Sequence, residues 1–222
     1  MILSKRFLLI KLIMFTNFFS QEFIYWVIVA VPSILVASTV HEYAHAYVAF
    51  RLGDATAKAE GRLTLNPIKH IDPIGALSMI LFRFGWSKPV PINEYSFRNR
   101  EVGTALVAFA GPLSNLIMAA LTGLVNFIFI KDSNSLIAFL LYTFAIINVA
   151  LAIFNLLPVP PLDGHKIVRA FLPRNLKYYW EKLEKYSIFL ILLLILPFSP
   201  IRDVLFNFIG TVLDTSLRIL GF

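Results

Sequence analysis

The chain has no cysteine among its 222 residues. That absence excludes disulfide bonds and zinc sites built from thiolates, so a zinc ion would have to be bound by histidine and carboxylate side chains. Charged residues are also scarce, at 15% of the chain, whereas hydrophobic residues reach 58%. Soluble domains average about 45–50% apolar residues. The excess apolar surface must therefore face something other than water.

The sequence also lacks internal repeats, low-complexity linkers and any segment large enough to form an appended soluble domain. We therefore expect a single membrane-embedded domain over residues 1–222, with its core at about residues 23–175.

Several apolar stretches approach or exceed the roughly 20 residues that a membrane-spanning helix needs. They indicate an all-α polytopic membrane protein with about five to six spanning or re-entrant helices. Residues 7–19 are apolar but short and contain Lys11, which fits either a short span or an interfacial helix. The other apolar segments are 23–50, 73–86, 102–130, 135–157 and 186–198, followed by an amphipathic tail at 203–222.

The region after the first long apolar segment has a different composition. Gly53 and Asp54 are expected to end the helix, and a polar segment near residues 56–66, centred on a glycine, is predicted to form a small hairpin. The sequence K-P-V-P at residues 88–91 cannot continue a helix. Short apolar segments broken by proline and glycine indicate re-entrant structure, which is stable at membrane depth only when it is buried in protein or lines a wet cavity.

Lysine and arginine in cytoplasmic loops explain the net charge of +7 better than a nucleic-acid-binding surface does. No basic run is interleaved with exposed aromatic residues, so we expect no nucleic-acid partner. Lysine and arginine are abundant in residues 51–101 and after residue 157, whereas the turn at 131–134 holds one lysine and one aspartate. Both basic regions are therefore expected on the cytoplasmic side.

The motif that carries chemistry is H-E-Y-A-H at residues 41–45, within an apolar segment. A helical spacing of four residues places both imidazoles on one face, where they can share a metal ion. Glu42 is rotated about 100° from His41, which suits a base acting on a metal-bound water rather than a ligand. The alternative is a polar helix face without metal. However, a charged side chain at mid-bilayer costs about 2.5–3.5 kcal/mol and needs a compensating partner.

A catalytic zinc ion uses three protein ligands and a water, so the two histidines leave one ligand to be found. Asp163 is the leading candidate, because a proline-rich break after a spanning helix can turn its carboxylate back toward the bilayer. Its alternative role is to cap a helix that starts near Gly164. The other candidates among the acids and histidines are Asp72, Glu60, His70 and His165.

Four motifs, in this order along the chain, resemble the site-2 protease family of intramembrane zinc metalloproteases, in its compact prokaryotic form without a PDZ or CBS domain. They are H-E-x-x-H at 41–45, G-R-L-T-L-N-P at 61–67, A-G-P-L-S-N at 110–115 and N-L-L-P-V-P-P-L-D-G at 155–164. The similarity extends from about residue 25 to residue 175. The ordered set is far more specific than H-E-x-x-H alone. For Gly111, Pro112 and Asn115, close helix packing is the favoured interpretation.

The resemblance implies a helical core of three spans and one Zn2+ ion per chain, bound by His41, His45 and Asp163. It implies that Glu42 is the general base. It also implies that Asn155 positions the substrate or stabilises the oxyanion, for which a hydrogen bond to a neighbouring helix is the alternative.

By the same resemblance, we expect a protease domain that cleaves membrane-spanning segments of single-pass proteins in regulated intramembrane proteolysis. The expected location is a prokaryotic plasma membrane, with the active site toward the cytoplasm and with the lipid bilayer and single-pass substrates as partners. Two rival functions are open. The first is a membrane zinc transporter or sensor whose metal occupancy does not depend on Glu42, and the second is a scaffold in which the polar residues only pack helices.

Overall fold

The computed structural model describes residues 20–82, 85–130, 135–195 and 200–222. Over these ranges the chain forms helices and no strands, and its extended backbone pairs once, in an isolated antiparallel bridge between Ile71 and Ser87. The segment 7–19 and the turn at 131–134 lie outside the described residues.

The first helix, α1, runs without a break through Gln21–Tyr25, Trp26–Ala30 and Val31–Arg51. The later helices are α2 (Thr56–Ala59), α3 (Pro73–Phe82), α4 (Arg100–Phe129), α5 (Leu136–Asn155), α6 (Asp163–Phe171), α7 (Arg174–Lys182), α8 (Ser187–Ile195) and α9 (Pro200–Ile219). Short 3-10 turns occur at Pro67–Lys69, Glu94–Ser96 and Leu183–Tyr186.

Three of the described helices are long and apolar enough to cross a membrane. They are Phe23–Arg51 of α1, Arg100–Phe129 of α4 and Leu136–Asn155 of α5, with 29, 30 and 20 residues. At about 1.5 Å per residue, each is at least as long as the roughly 30 Å of a hydrocarbon core. The expected helical fold class is thus confirmed, with three candidate membrane spans among the described residues. The expected number of five to six spanning or re-entrant helices is not confirmed.

The apolar segment predicted at 23–50 is a single helix in spite of Pro32. A proline has no amide hydrogen to donate to the carbonyl four residues earlier. The turn Trp26–Ala30 is π-helical, and the amide of Val31 donates to the carbonyl of Trp26, five residues back. This local widening lets α1 continue past the proline.

The predicted end of this helix is confirmed, but the predicted hairpin near residues 56–66 is wrong. Gly53, at φ +106°, follows the last turn of α1 in a conformation that favours glycine. The buried carboxylate of Asp54 then accepts the amide of Thr56 at 2.9 Å. This local bond starts the one-turn helix α2, which ends in a turn at Gly61 with φ +65°. A local bond between a side chain and the backbone thus accompanies helix where the glycine-centred pattern predicted strands.

The core is built around α4, which packs against α1, α5 and α6. Its buried face is made of small residues, including Ala108, Gly111, Ala119 and Gly123. Small side chains allow membrane helices to approach closely. After α5 the chain passes through a proline-rich turn and α6 folds back onto α4, which brings the start of α6 to the polar face of α1.

Candidate metal centre

Two imidazoles from α1 and one carboxylate from α6 meet in the core. The Nε2 atoms of His41 and His45 are 3.0 Å apart, and they lie 3.1 Å and 3.2 Å from Asp163 Oδ2. All three residues are buried. In the parts of the chain that the structure describes, this is the one group of three histidine, aspartate or glutamate side chains close enough to share a metal ion.

The hydrogen bonds on the far side of each ring define the imidazole tautomers. His45 Nδ1 donates to the carbonyl of Val107 at 2.7 Å, and His41 Nδ1 donates to Asn115 Oδ1 at 2.7 Å. Asn115 must present its oxygen to His41, because its Nδ2 donates to the carbonyl of Ala37 at 3.1 Å. Each Nδ1 therefore carries a proton, and in the neutral ring each Nε2 presents a lone pair.

With both rings neutral, two nitrogen lone pairs and a carboxylate oxygen converge on one point. Such a group needs a positive charge at its centre, and a metal ion can bond to all three atoms whereas a shared proton bridges only two. Zinc bonds of about 2.0–2.2 Å at tetrahedral angles separate neighbouring ligand atoms by about 3.3–3.5 Å. The separations of 3.0–3.2 Å are within a few tenths of an ångström of this range, so the three residues fit a zinc ion.

The close approach of α4 to these imidazoles depends on Gly111. A Cβ atom at this position would lie 2.5 Å from His45 Nε2 and 2.6 Å from His41 Nε2. Real Cβ atoms essentially never make contacts below 3.0 Å. Tight packing, favoured for this glycine from the sequence, is therefore what the structure shows, and the surface packed against it is the candidate metal centre itself.

Asp163 is the first residue of α6, and its side chain points to the imidazoles. The capping position of α6 is Leu162, which makes no capping hydrogen bond through its side chain. Gly164 is pressed against the end of α5, since a Cβ atom there would collide with the carbonyl oxygens of Leu156 and Leu157. The glycine of the L-D-G motif thus lets the carboxylate come close to the spanning helices.

Glu42 lies beside the centre, and each of its carboxylate oxygens accepts one hydrogen bond. Ser87 Oγ donates to Oε1 at 2.7 Å, and the Val90 amide donates to Oε2 at 3.0 Å. Val90 stands between Pro89 and Pro91, so its amide is the one backbone donor that the sequence P-V-P provides. The segment that the sequence excluded from helix therefore orients the candidate base.

The other predicted residues lie apart from the three-residue group. Asn155 Nδ2 donates to the Leu151 carbonyl of its own helix at 2.9 Å. His70 Nε2 donates to the Thr64 carbonyl at 2.8 Å, and Asp72 Oδ1 accepts the Gly75 amide at 2.8 Å. Glu60 is exposed in the turn after α2, and His165 is buried with its ring stacked on Trp180 at 5.0 Å.

A cavity of about 1100 Å3 opens beside the centre. Its walls come from α1, α3, α8, the end of α5 and the segment 85–92, and they are mainly apolar. Pockets for small ligands measure about 300–1000 Å3, so this cavity has room for a peptide segment. The predicted residues that line it are His41, Glu42, His45, His70, Asp72, Asn155 and Asp163.

Comparison with known proteins decides the family. The model of peptidase family M50 matches residues 121–198. YwhC of Bacillus subtilis, which is named as a candidate zinc metalloprotease, is 40% identical over 211 residues, covering 90% of this chain and 95% of YwhC. This chain belongs to the site-2 protease family, peptidase family M50.

Other site-2 protease relatives are more distant. Rip2 of Mycolicibacterium smegmatis, also named as a candidate zinc metalloprotease, is 31% identical over 148 residues, or 62% of this chain and 55% of Rip2. The zinc metalloprotease MJ0392 of Methanocaldococcus jannaschii is 30% identical over 155 residues, or 70% of this chain and 37% of MJ0392. No solved structure gives a significant match. The expected class is confirmed: the chain is a zinc-dependent metalloprotease of a membrane-protein family.

Three contacts in this site-2 protease are not predicted by the sequence. They are the bonds from Asn115 to His41, from Val107 to His45, and from Ser87 to Glu42. A hydrogen bond of Asn115 could be expected from the sequence, because an amide inside an apolar span needs a hydrogen-bond partner. The second uses a backbone carbonyl and the third crosses from a loop, so neither leaves a pattern in the sequence.

Proposed function

We propose that this chain is an intramembrane endopeptidase that hydrolyses peptide bonds within membrane-spanning segments of single-pass proteins, as in regulated intramembrane proteolysis. The observation that carries the proposal is the position of the candidate ligands. His41 and His45 lie inside α1, one of the three potential spans, and they face a large apolar cavity. An enzyme acting on soluble peptides has no need to place its metal inside a span.

The proposed ligands are His41, His45 and Asp163, as their convergence supports. Zinc bound there supplies Lewis-acid polarisation of the peptide carbonyl and makes a water molecule acidic enough to lose its proton near neutral pH. Glu42 takes that proton and passes it to the leaving amine. Each of its oxygens accepts one hydrogen bond in the resting site and keeps a second lone pair for the water.

Asn155 is proposed to stabilise the oxyanion that forms from the scissile carbonyl. Its side chain lines the same cavity as Glu42 and Asp163. One hydrogen of its Nδ2 is donated to Leu151, which holds the amide in place and leaves the second hydrogen for the substrate oxygen.

The proposed location is a prokaryotic plasma membrane, with the cavity open toward the cytoplasm and the bilayer. The basic helix α7 follows directly after α6, which carries Asp163, and Lys166 lines the cavity itself. Basic residues near span ends favour the cytoplasmic side. A substrate helix must unwind locally to react, because its carbonyls are hydrogen-bonded in the helix.

A zinc transporter or sensor is not favoured. YwhC, which aligns with most of this chain, and MJ0392, which aligns with part of it, are both named as metalloproteases. In addition, Glu42 is held beside the candidate ligands rather than among them, as a base requires and a transport ligand does not.

The deciding test compares the wild type with Glu42→Gln, using a model single-span substrate in liposomes and measuring bound zinc in both proteins. We expect about one zinc per chain in both, and cleavage at least about 100-fold slower in the variant, since general base catalysis contributes about 10²–10⁴-fold. Glu60→Gln is the matched control, because Glu60 is exposed and outside the centre, and it should leave both values unchanged.

Two results would contradict the proposal. Zinc without cleavage of any of several substrates by the wild type would favour a metal-binding function. Cleavage that is unaffected by Glu42→Gln would remove this residue as the base.

A further inference from the structure

Asn148 is a buried polar residue that the mechanism above does not use. It lies in the interior of α5, and its residue surface is 0% exposed. A primary amide inside a membrane-spanning helix must find hydrogen-bond partners within the protein. Its partners form a continuous chain that ends at one of the candidate metal ligands.

The chain of bonds crosses three helices. Asn148 Nδ2 donates to the Phe144 carbonyl at 2.9 Å, and Asn148 Oδ1 accepts from Asn115 Nδ2 at 3.0 Å. Asn115 Oδ1 then accepts from His41 Nδ1 at 2.7 Å. The second hydrogen of Asn115 Nδ2 is donated to the Ala37 carbonyl at 3.1 Å.

The partners fix the donor and the acceptor of every hydrogen bond in this series. The Phe144 carbonyl only accepts, so Asn148 must turn its oxygen toward Asn115. With both hydrogens of its Nδ2 engaged, Asn115 cannot exchange its oxygen and nitrogen, and it presents an acceptor to His41. The His41 proton is thereby held on Nδ1, and the Nε2 lone pair faces His45 and Asp163.

We propose that Asn148 is a positioning residue of the metal centre, which acts through Asn115 to fix the tautomer and ring orientation of His41. The proposal rests on the assignment of His41 as a zinc ligand and does not depend on the substrate. Metal-binding histidines generally donate their second ring nitrogen to a fixed acceptor, and loss of such partners lowers metal affinity by about 10–100-fold. Here the acceptor is itself held by a residue on another helix.

A purely structural role is the competing explanation, in which Asn148 only joins α5 to α4. The two roles differ in how substitutions combine. If Asn148 acts through Asn115, its removal has no further effect on zinc affinity once Asn115 is gone. If it only joins the helices, the two substitutions change zinc affinity independently.

The test measures the zinc dissociation constant of the purified full-length protein by chelator competition. We expect Asn115→Leu to raise it about 10–100-fold and Asn148→Leu to raise it about 3–10-fold, since Ala37 still holds Asn115 in the second variant. The double variant should match Asn115→Leu alone. Thr122→Val is the matched control, because this buried hydroxyl on α4 donates to the Met118 carbonyl of its own helix, and the substitution should leave the constant unchanged.

A conservative variant provides a rescue. In Asn148→Asp, a neutral carboxyl group can donate to the Phe144 carbonyl and accept from Asn115, so zinc affinity should stay within about 2-fold of the wild type. Where Asn148→Leu does not fold, Asn148→Ala deletes the amide without added bulk and serves in the same cycle.

The outcomes separate the proposal from the ligand assignment. A wild type that binds zinc, with Asn148→Leu either silent or additive to Asn115→Leu, overturns the positioning role alone. A wild type without zinc overturns both the ligand assignment and the positioning role.

Discussion

At the scale of single residues, the metal centre depends on the absence of a side chain at position 111. Gly111→Ala would place a methyl group 2.5 Å from His45 Nε2 and 2.6 Å from His41 Nε2. The two imidazoles would then have to move away from the position at which they converge with Asp163. We expect zinc affinity to fall at least about 10-fold, as measured by chelator competition on the purified protein.

The matched control for this substitution is Gly210→Ala in α9. A Cβ atom there meets nothing within 4 Å. Alanine is favoured over glycine in a helix by about 1 kcal/mol, so this variant should bind zinc normally and be slightly more stable. Normal zinc binding by Gly111→Ala would show that α4 does not confine the two histidines.

Residues that share one helix are the predictable part of the site. A spacing of four alone places His41 and His45 on one face, and it sets Glu42 to the side. The proline-rich break makes Asp163 the leading third ligand and the family resemblance selects it, because spacing says nothing about which distant carboxylate returns to that face. At Asn115 the sequence predicts only close packing, since a bond between two spans follows from their relative rotation, which no local pattern contains.

At the scale of helices, the position of Asp163 depends on how α6 is held. Arg169, buried on α6, donates to Glu94 Oε2 at 2.7 Å, and Arg100 donates to the same oxygen at 3.1 Å. On the other side, Trp180 of α7 stacks on His165 and donates to its carbonyl at 3.0 Å. Burial lowers the pKa of His165, which favours the neutral form of its ring.

The Glu94 contacts predict a specific loss of stability in acid. Burial raises the pKa of Glu94, but the hydrogen bonds and charges of Arg169 and Arg100 outweigh it and hold the pKa below its ordinary value of 4.5. The unfolded chain therefore binds a proton at pH values where the folded chain does not. The resulting stabilisation is complete above the unfolded pKa and is lost as pH falls through the folded pKa.

The measurement is the melting temperature of the purified protein between about pH 6 and pH 3. Glu94→Gln should melt lower than the wild type at pH 6 and approach it at pH 3, because the contribution that it lacks is the one that acid removes. Glu60→Gln tests for a general effect of charge, since Glu60 is exposed, and it should follow the wild-type curve. Parallel curves for Glu94→Gln and the wild type would contradict the prediction.

Helix limits are predicted well where the signal is long and poorly where it is short. The long segments predicted at 102–130 and 135–157 correspond to Arg100–Phe129 and Leu136–Asn155. The hairpin predicted near 56–66 is absent, and Asp54 instead accepts hydrogen bonds from the amide and the hydroxyl of Thr56 at the start of a four-residue helix. In a short segment such local side-chain contacts outweigh the composition of its neighbours.

At the scale of the whole molecule, the three candidate spans pack together and bury a polar site. The ligands lie on the inner faces of α1 and α6, and α4 closes one side with small residues. The cavity beside the site is lined in part by α3, α8 and the segment 85–92. A hydrolase in a membrane needs such a site, because its water and ionisable groups are unfavourable in contact with lipid.

The membrane orientation can be tested by labelling single introduced cysteines. Because the chain has no cysteine, one introduced cysteine is a unique label. Tyr179→Cys on α7 and Leu136→Cys at the start of α5 replace side chains that are 66% and 69% exposed. If α5 crosses the membrane and α7 is cytoplasmic, a membrane-impermeant maleimide should label Leu136→Cys in intact cells and Tyr179→Cys only after permeabilisation. The unsubstituted chain gives the background. The reverse pattern would place the cavity on the outer side, and labelling of both in intact cells would mean that α5 does not cross.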